Sequence, residues 1–289
     1  MKQILVTGAH GQLGSEFQSL AARFTDYHFQ FTDIDTLDLS RPQNLEKFLK
    51  NRQFDIILNC AAYTAVDKAE DDRDLASALN ADVPAVLADY CETNDALLIH
   101  FSTDYVFDGR DYRPYREDDR PNPVSFYGKT KLDGENAILF SLRRSVIIRT
   151  SWLYSSYGNN FVKTILRLGQ EKQEIRVVSD QLGSPTCAAD LAGAVIHLLP
   201  VFLSFQDHQI YHYSNEGVCS WYDFAMAVAE AASLPVSILP VSSGEFPTRA
   251  TRPFYSVLDK SRIKALGIAI PYWRHSLLKT LDLILRKDS

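Results

Sequence analysis

Tyr127-Gly128-Lys129-Thr130-Lys131 places a phenol and an ammonium four residues apart. On a helix, residues i and i+4 share one face, so the two head groups meet. A phenol titrates near ~10, too high for easy proton transfer at neutral pH. A neighbouring ammonium favours the phenolate, so Lys131 is expected to lower the pKa of Tyr127. Tyr127 could then give a proton to a carbonyl oxygen as hydride reaches the carbon. Lys131 would also hold a nicotinamide ribose. The pattern alone arises by chance on exposed helix faces. What precedes it makes it specific: an apolar run ends Phe101-Ser102-Thr103-Asp104. That run delivers the Thr103 hydroxyl to the C-terminal edge of a sheet, where ligands bind in open α/β folds.

A second constellation opens the chain. Gly8-Ala9-His10-Gly11-Gln12-Leu13-Gly14 follows the β-prone Ile4-Leu5-Val6-Thr7 and precedes a helical pattern of Leu13, Phe17, Leu20 and Phe24. Glycines at G-x-x-G-x-x-G spacing let backbone N–H groups approach a pyrophosphate at a helix N-terminus. The last glycine lets helix and strand pack closely. The carboxylate expected about 20 residues on, to bind the ribose hydroxyls, is Asp33, with Asp35 two residues later. A carboxylate there repels a 2′-phosphate and favours NADH. Asp38-Leu39 could bracket the adenine edge or serve only as turn chemistry.

These side chains need a scaffold. Strand-like runs recur at 4–7, 29–33, 55–59, 96–101 and 146–149, with helical patterns between them. A helix opens at Ser40-Arg41-Pro42, a long one covers 72–93 with Pro84 threatening a kink, and another covers 125–142. Strand, helix, strand at this spacing predicts right-handed βαβ units and an α/β, doubly wound parallel (Rossmann) sheet. Beyond residue 150 helices are read at 160–170, 185–199, 221–232 and 274–285, and strands at 175–178 and 210–213. Residues 1–150 are therefore assigned to a dinucleotide-binding domain, with later segments returning to it. Residues 151–289 form mainly a smaller substrate-binding lobe. Pro-rich stretches at 121–123, 235–247 and 253 read as loops.

Composition narrows the class. A chain of 289 residues, 46% apolar and 23% charged, can bury a proper core and is no coiled coil or disordered segment. The net charge of −6, with no basic run, argues against nucleic acid. Cys60, Cys91, Cys187 and Cys219 are too scattered for a disulfide framework or zinc site, and Cys60 reads as a small core residue. No leader and no run of ~20 apolar residues is seen, so a cytoplasmic protein without membrane contact is expected.

Longer strings carry a resemblance. The Gly-rich turn, Thr103, Tyr127 and Lys131 together resemble an extended short-chain dehydrogenase/reductase. Asn59-Cys60-Ala61-Ala62-Tyr63-Thr64-Ala65-Val66-Asp67-Lys68-Ala69-Glu70 resembles the N-A-A-x-T-x-V-D-x-A-E string of the dTDP-4-dehydrorhamnose reductases. So do Ser102–Gly109, Tyr127–Leu132, Arg149–Tyr154, Gly158–Phe161, Asp180–Thr186 and Arg252-Pro253, in order over most of the chain. The resemblance implies reduction of the 4-keto group of dTDP-4-dehydro-L-rhamnose by NADH or NADPH, the last step of dTDP-L-rhamnose synthesis. By carry-over Tyr127 is the proton donor, Thr103 its hydroxyl partner and Lys131 completes the catalytic set. Gly8, His10, Gly11, Gln12, Leu13, Gly14, Asp33, Asp38, Leu39, Ala61, Ala62, Thr64 and Ser102 join Tyr127 and Lys131 around the cofactor. Thr103, Asp104 and Trp152 face the dTDP-sugar.

Relatives resembling this fold that dehydrate sugar nucleotides have Thr-Asp-Glu where Thr103-Asp104 is followed by Tyr105, so the eliminating base is missing. Two further readings stay open. One is a ketoreductase of another dTDP-4-keto-6-deoxyhexose. The other is a non-catalytic subunit, as in the regulatory subunit of methionine adenosyltransferase, which the intact Tyr127, Lys131 and Thr103 disfavour. Some members are described as dimers bridged by Mg²⁺ through carboxylates. Glu16 matches one such position, but Cys187-Ala188-Ala189 replaces the Gly-Ala-Glu expected after Pro185-Thr186. No metal site is therefore assigned, and the chain is expected to be a monomer or homodimer.

Overall fold

The computed structural model describes residues 1–287. Six parallel strands form the central sheet: β1 (Lys2–Thr7), β2 (Tyr27–Thr32), β3 (Ile56–Asn59), β4 (Leu97–Thr103), β5 (Ser145–Thr150) and, from the second half of the chain, Gln209–Tyr213. Their spatial order is Gln209–Tyr213, β5, β4, β3, β1, β2. Every residue of β3 and β4 is buried, which matches near-continuous apolar runs covered on both faces.

The helices are α1 (Gln12–Ala21), α2 (Pro42–Leu49), α3 (Arg73–Ser77), α4 (Val83–Asn94), α5 (Phe126–Ser141), α6 (Phe161–Glu171), α7 (Ala188–Phe202) and α8 (Trp221–Ala231), followed by Ser261–Lys264 and Trp273–Lys287. On one face of the sheet α1 and α7 pack over Ile4, Val6, Ile99 and Ile148. On the other, α2, α4 and α5 pack over Leu5, Ile57, Leu98 and Ile147. The sheet is thus the doubly wound one expected. Residues 188–213 return to it through α7 and the sixth strand. Successive connections leave β1 and β3 in opposite directions, so a crevice opens at their C-terminal ends.

The threatened kink at Pro84 is absorbed. Helical backbone runs unbroken from α3 through a π turn over Ala78–Asp82 into α4, and the wider turn just before Pro84 makes room for its ring and missing N–H. The helix read at 185–199 starts at Ala188, because Leu182–Gly183 and Thr186–Cys187 are spent on short strands.

A second core lies beyond the sheet, built from α6, α8 and Trp273–Lys287 around Phe224, Leu277 and Leu281. The strand Glu174–Val178 pairs there with Ser237–Val241, in a stretch read as a loop because of its prolines. Pro240 is tolerated since this two-stranded pair consists of edges. No helix among the described residues is long and apolar enough to cross a membrane.

Candidate active site

The first element of the site is the Gly-rich turn. Gly14 must be glycine: a Cβ there would lie 2.2 Å from the Gly8 carbonyl oxygen, so helix and strand could not close. Gly11 caps α1 with extended backbone and no side chain, leaving the first N–H groups of the helix for a ligand. Asp33, at the end of β2, accepts from the His10 N–H (2.7 Å) and the Ile34 N–H (2.8 Å). It therefore shapes the turn as well as lining the cavity beside it. A cavity of about 610 Å³ runs along these groups, lined by Gly8, Gly11, Asp33, Asp38, Leu39, Ala61 and Ala62. Ile34, Leu37, Cys60, Leu75 and Leu79 add apolar walls not foreseen, and Cys60 thus faces the cavity instead of serving only as core. Free helix N–H groups at one end and an apolar slot beside a carboxylate at the other fit a dinucleotide.

The second element is the end of β4 against the start of α5. Ser125 caps α5, accepting from the Gly128 N–H (3.1 Å), and Glu70 accepts from the Phe126 N–H (2.8 Å). A Cβ at Gly128 would lie 2.2 Å from the Tyr105 carbonyl oxygen, so only glycine lets the helix approach this closely. The approach brings the Tyr127 phenol beside the Thr103 hydroxyl, near enough for that hydroxyl to favour the phenolate. Thr103 also donates to Asp104 Oδ1 (3.0 Å) and accepts from the Tyr105 N–H (3.2 Å).

The electrostatics differ from expectation. Burial pushes the Tyr127 phenol upward, and Asp104 and Tyr105 add to the rise, while the Thr103 hydroxyl opposes it. Lys131 does not lower it here. The ammonium is buried and donates to the Phe101 carbonyl oxygen (2.7 Å), and burial brings its own pKa down to about 8. Burial also raises Asp104 to about 6. Its Oδ2 is buried with no hydrogen bond of full geometry, although the Ser256 hydroxyl stands near the carboxylate and favours its charged form.

Other anticipated residues divide by what holds them. The Ser102 hydroxyl turns to Glu135, which is paired with buried Arg149 at 2.7 Å, so it is not free for a cofactor. Leu13 buries its side chain in the core and can offer only backbone. The Gln12 amide bridges to Asn160 (3.0 Å) and the Leu153 carbonyl (3.4 Å), tying the turn to the second lobe. The His10 side chain and Thr64 are exposed. Trp152 has left-handed backbone (φ 48°) and stacks on Trp221 with ring centroids 3.7 Å apart. Glu16 is buried and accepts from Ser155, which removes it from the surface a bridging metal would need. Among the described residues no group of three metal-ligating side chains occurs.

Two residues escaped the sequence reading. Tyr105 lies edge-on to Tyr127 at 5.6 Å and receives Arg252, itself paired with Asp67 at 2.6 Å. Asn80, in the π turn, accepts from the Tyr63 N–H and donates to the Tyr63 carbonyl and Thr130 Oγ1, pinning the Ala61–Thr64 loop to α5. A buried asparagine beside an out-of-register helical turn was the available signal.

The chain is similar to known proteins in sequence and fold. The chain is 41% identical to the spore coat polysaccharide biosynthesis protein SpsK of Bacillus subtilis, over 98% of each chain. It is 39% identical to a probable dTDP-4,6-dihydroxy-2-methyloxan-3-one 4-ketoreductase of Streptomyces antibioticus, over 98% of this chain and 96% of that one. The crystal structure of dTDP-4-dehydrorhamnose reductase from Bacillus anthracis in complex with NADP superposes with a TM-score of 0.91 at 39% identity, covering 98% of this chain and 99% of that one. The family model described as the RmlD substrate binding domain matches residues 1–285, and the chain belongs to that family.

Proposed function

We propose that this protein is a dTDP-4-dehydrorhamnose reductase, an NAD(P)H-dependent oxidoreductase that converts dTDP-4-dehydro-L-rhamnose to dTDP-L-rhamnose. The observation that carries the reading is the Thr103–Tyr127 hydroxyl pair at the end of β4, beside a dinucleotide-shaped cavity. The relatives' names and the NADP complex point the same way.

When bound, the nicotinamide supplies a hydride to C4 of the sugar. The chain's own residues do the rest. The first N–H groups of α1 hold the pyrophosphate, and Asp33 meets the adenosine ribose. Tyr127 gives its phenolic proton to the C4 oxygen. Burial keeps the phenol protonated over the working range, which suits a proton donor. Thr103 stands beside the phenol, and its one hydroxyl proton, turned from Asp104 Oδ1 to the oxygen left by proton transfer, would stabilise the phenolate. Asp104 Oδ2, a buried acceptor with no hydrogen bond of full geometry, would be satisfied by a sugar hydroxyl. Trp152, with one ring face on Trp221 and the other against Gly183, would meet the sugar by its edge.

A second reading, reduction of a different dTDP-4-keto-6-deoxyhexose, is favoured by the Streptomyces relative. The test is NADH and NADPH consumption with dTDP-4-dehydro-L-rhamnose and with its stereoisomeric keto sugars. Fastest turnover of the rhamnose precursor supports the first reading, and preference for another isomer supports the second. No turnover of any would support a non-catalytic role.

A further inference from the structure

Behind Lys131 lies a polar chain that the proton donation described above does not use. His100 is fully buried in β4, and its Nε2 lies 3.4 Å from Lys131 Nζ. Its Nδ1 faces Asn59 Nδ2 at 3.0 Å. Asn59 Oδ1 accepts from Thr7 Oγ1 (2.7 Å), which in turn accepts from the Ala61 N–H (3.3 Å) at the cofactor cavity. Thr7, Asn59 and His100 stand side by side in register across β1, β3 and β4. Three adjacent polar side chains in a buried sheet are unfavourable unless every group is paired.

We propose that His100 is a positioning residue for this reaction: its imidazole, oriented by Asn59, seats the Lys131 head group and couples its own ring hydrogen to whether that amine is protonated. The inference rests on the reductase reading.

A neutral imidazole has one N–H. If Nε2 is bare, it accepts from the ammonium of Lys131, and Nδ1–H donates to the oxygen of an Asn59 amide turned over. In the arrangement seen here Asn59 Nδ2 donates to Nδ1. Nε2 then carries the hydrogen and suits an uncharged amine. The two arrangements differ by one proton on Lys131, the tautomer of His100 and a half-turn of the Asn59 amide. When the Lys131 ammonium gives up a proton to solvent, one of its N–H bonds breaks and the neutral amine left behind accepts from His100 Nε2–H. His100 stays neutral throughout, because burial and the charge of Lys131 hold it well below the usual imidazole range. Glu135, one turn further along α5, and Cys60, after β3, are the other titratable groups acting on Lys131.

The test compares His100→Gln with His100→Asn in the full chain. Glutamine places an amide near the position of Nε2, whereas asparagine reaches only that of Nδ1. His100→Asn should move the alkaline limb of the kcat–pH profile by about one unit to lower pH, since a hydrogen bond to the charged amine is lost. His100→Gln should keep the wild-type limb. Overlaying profiles for both variants, or equal loss at every pH without a shifted limb, would overturn the proposal. Ring ¹⁵N shifts of His100 in the unsubstituted protein test it without turnover or mutation. The hydrogen should move from Nδ1 to Nε2 as pH rises through about 8, where Lys131 titrates. A tautomer that does not change overturns the coupling, whereas inactivity of the unsubstituted enzyme would count against the reductase reading alone.

Discussion

Tyr127→Phe separates chemistry from structure. Only 9% of Tyr127 is exposed, and its ring packs edge-on against Tyr105 at 73°. Phenylalanine keeps that packing and removes only the hydroxyl. Thr103 loses the phenol but retains Asp104 Oδ1 and the Tyr105 N–H. The stability loss should therefore be at most that of one net hydrogen bond, ~0.5–1.5 kcal/mol. Loss of a general acid should lower kcat by about 10²–10⁴. At ~1.36 kcal/mol per tenfold, that is ~2.7–5.4 kcal/mol of barrier, well above the structural cost. Steady-state kinetics with a saturating dTDP-keto sugar, beside urea unfolding, reads both quantities. Cofactor Kd should change little. A kcat within about tenfold of wild type would refute Tyr127 as the proton donor.

Three further outcomes follow from the same geometry. Asp33→Ala should raise the NADPH/NADH ratio of kcat/KM by about tenfold, ~1.4 kcal/mol, and weaken both cofactors because the His10 and Ile34 N–H groups lose their acceptor. An unchanged ratio would show that Asp33 only shapes the turn. Arg149→Met strands the buried Glu135 carboxylate and should cost about 3–5 kcal/mol in chemical denaturation, with Arg149→Met/Glu135→Leu recovering much of it. A single-variant loss below about 1 kcal/mol would contradict the pairing. Lys131 titrates at about 8 in the fold against an ordinary 10.5. Between those values the unfolded chain holds a proton that the folded one lacks, so this group makes stability rise with pH. Lys131→Met should remove that rise in unfolding measured from pH 8 to 10.5, and an unaltered slope would contradict it.

Local signals made the first half of the fold legible. Gly8–Gly14 announces its turn by spacing, and Ile56-Ile57-Leu58 announces a doubly covered strand by having no polar alternation. The placement of Tyr127, Thr103 and Asp33 at element ends was legible because motif and element coincide. What could not be read depends on contacts far apart in sequence. Ser102 meets Glu135 and Gln12 meets Asn160 only after folding. The direction of the Tyr127 shift failed for the same reason: spacing puts Lys131 on its face, but burial, which spacing does not encode, dominates. Pro240 hid a strand because proline is a loop signal unless the strand is an edge.

The most direct test of the central claim is the fate of a deuteride. The enzyme would be incubated with dTDP-4-dehydro-L-rhamnose and nicotinamide cofactor deuterated at the transferable position, and the product examined by NMR. The account predicts dTDP-L-rhamnose carrying deuterium at C4 and nowhere else, and no such product from Tyr127→Phe on the same timescale. Recovery of unchanged keto sugar with the wild-type chain, or label at any other carbon, would contradict it.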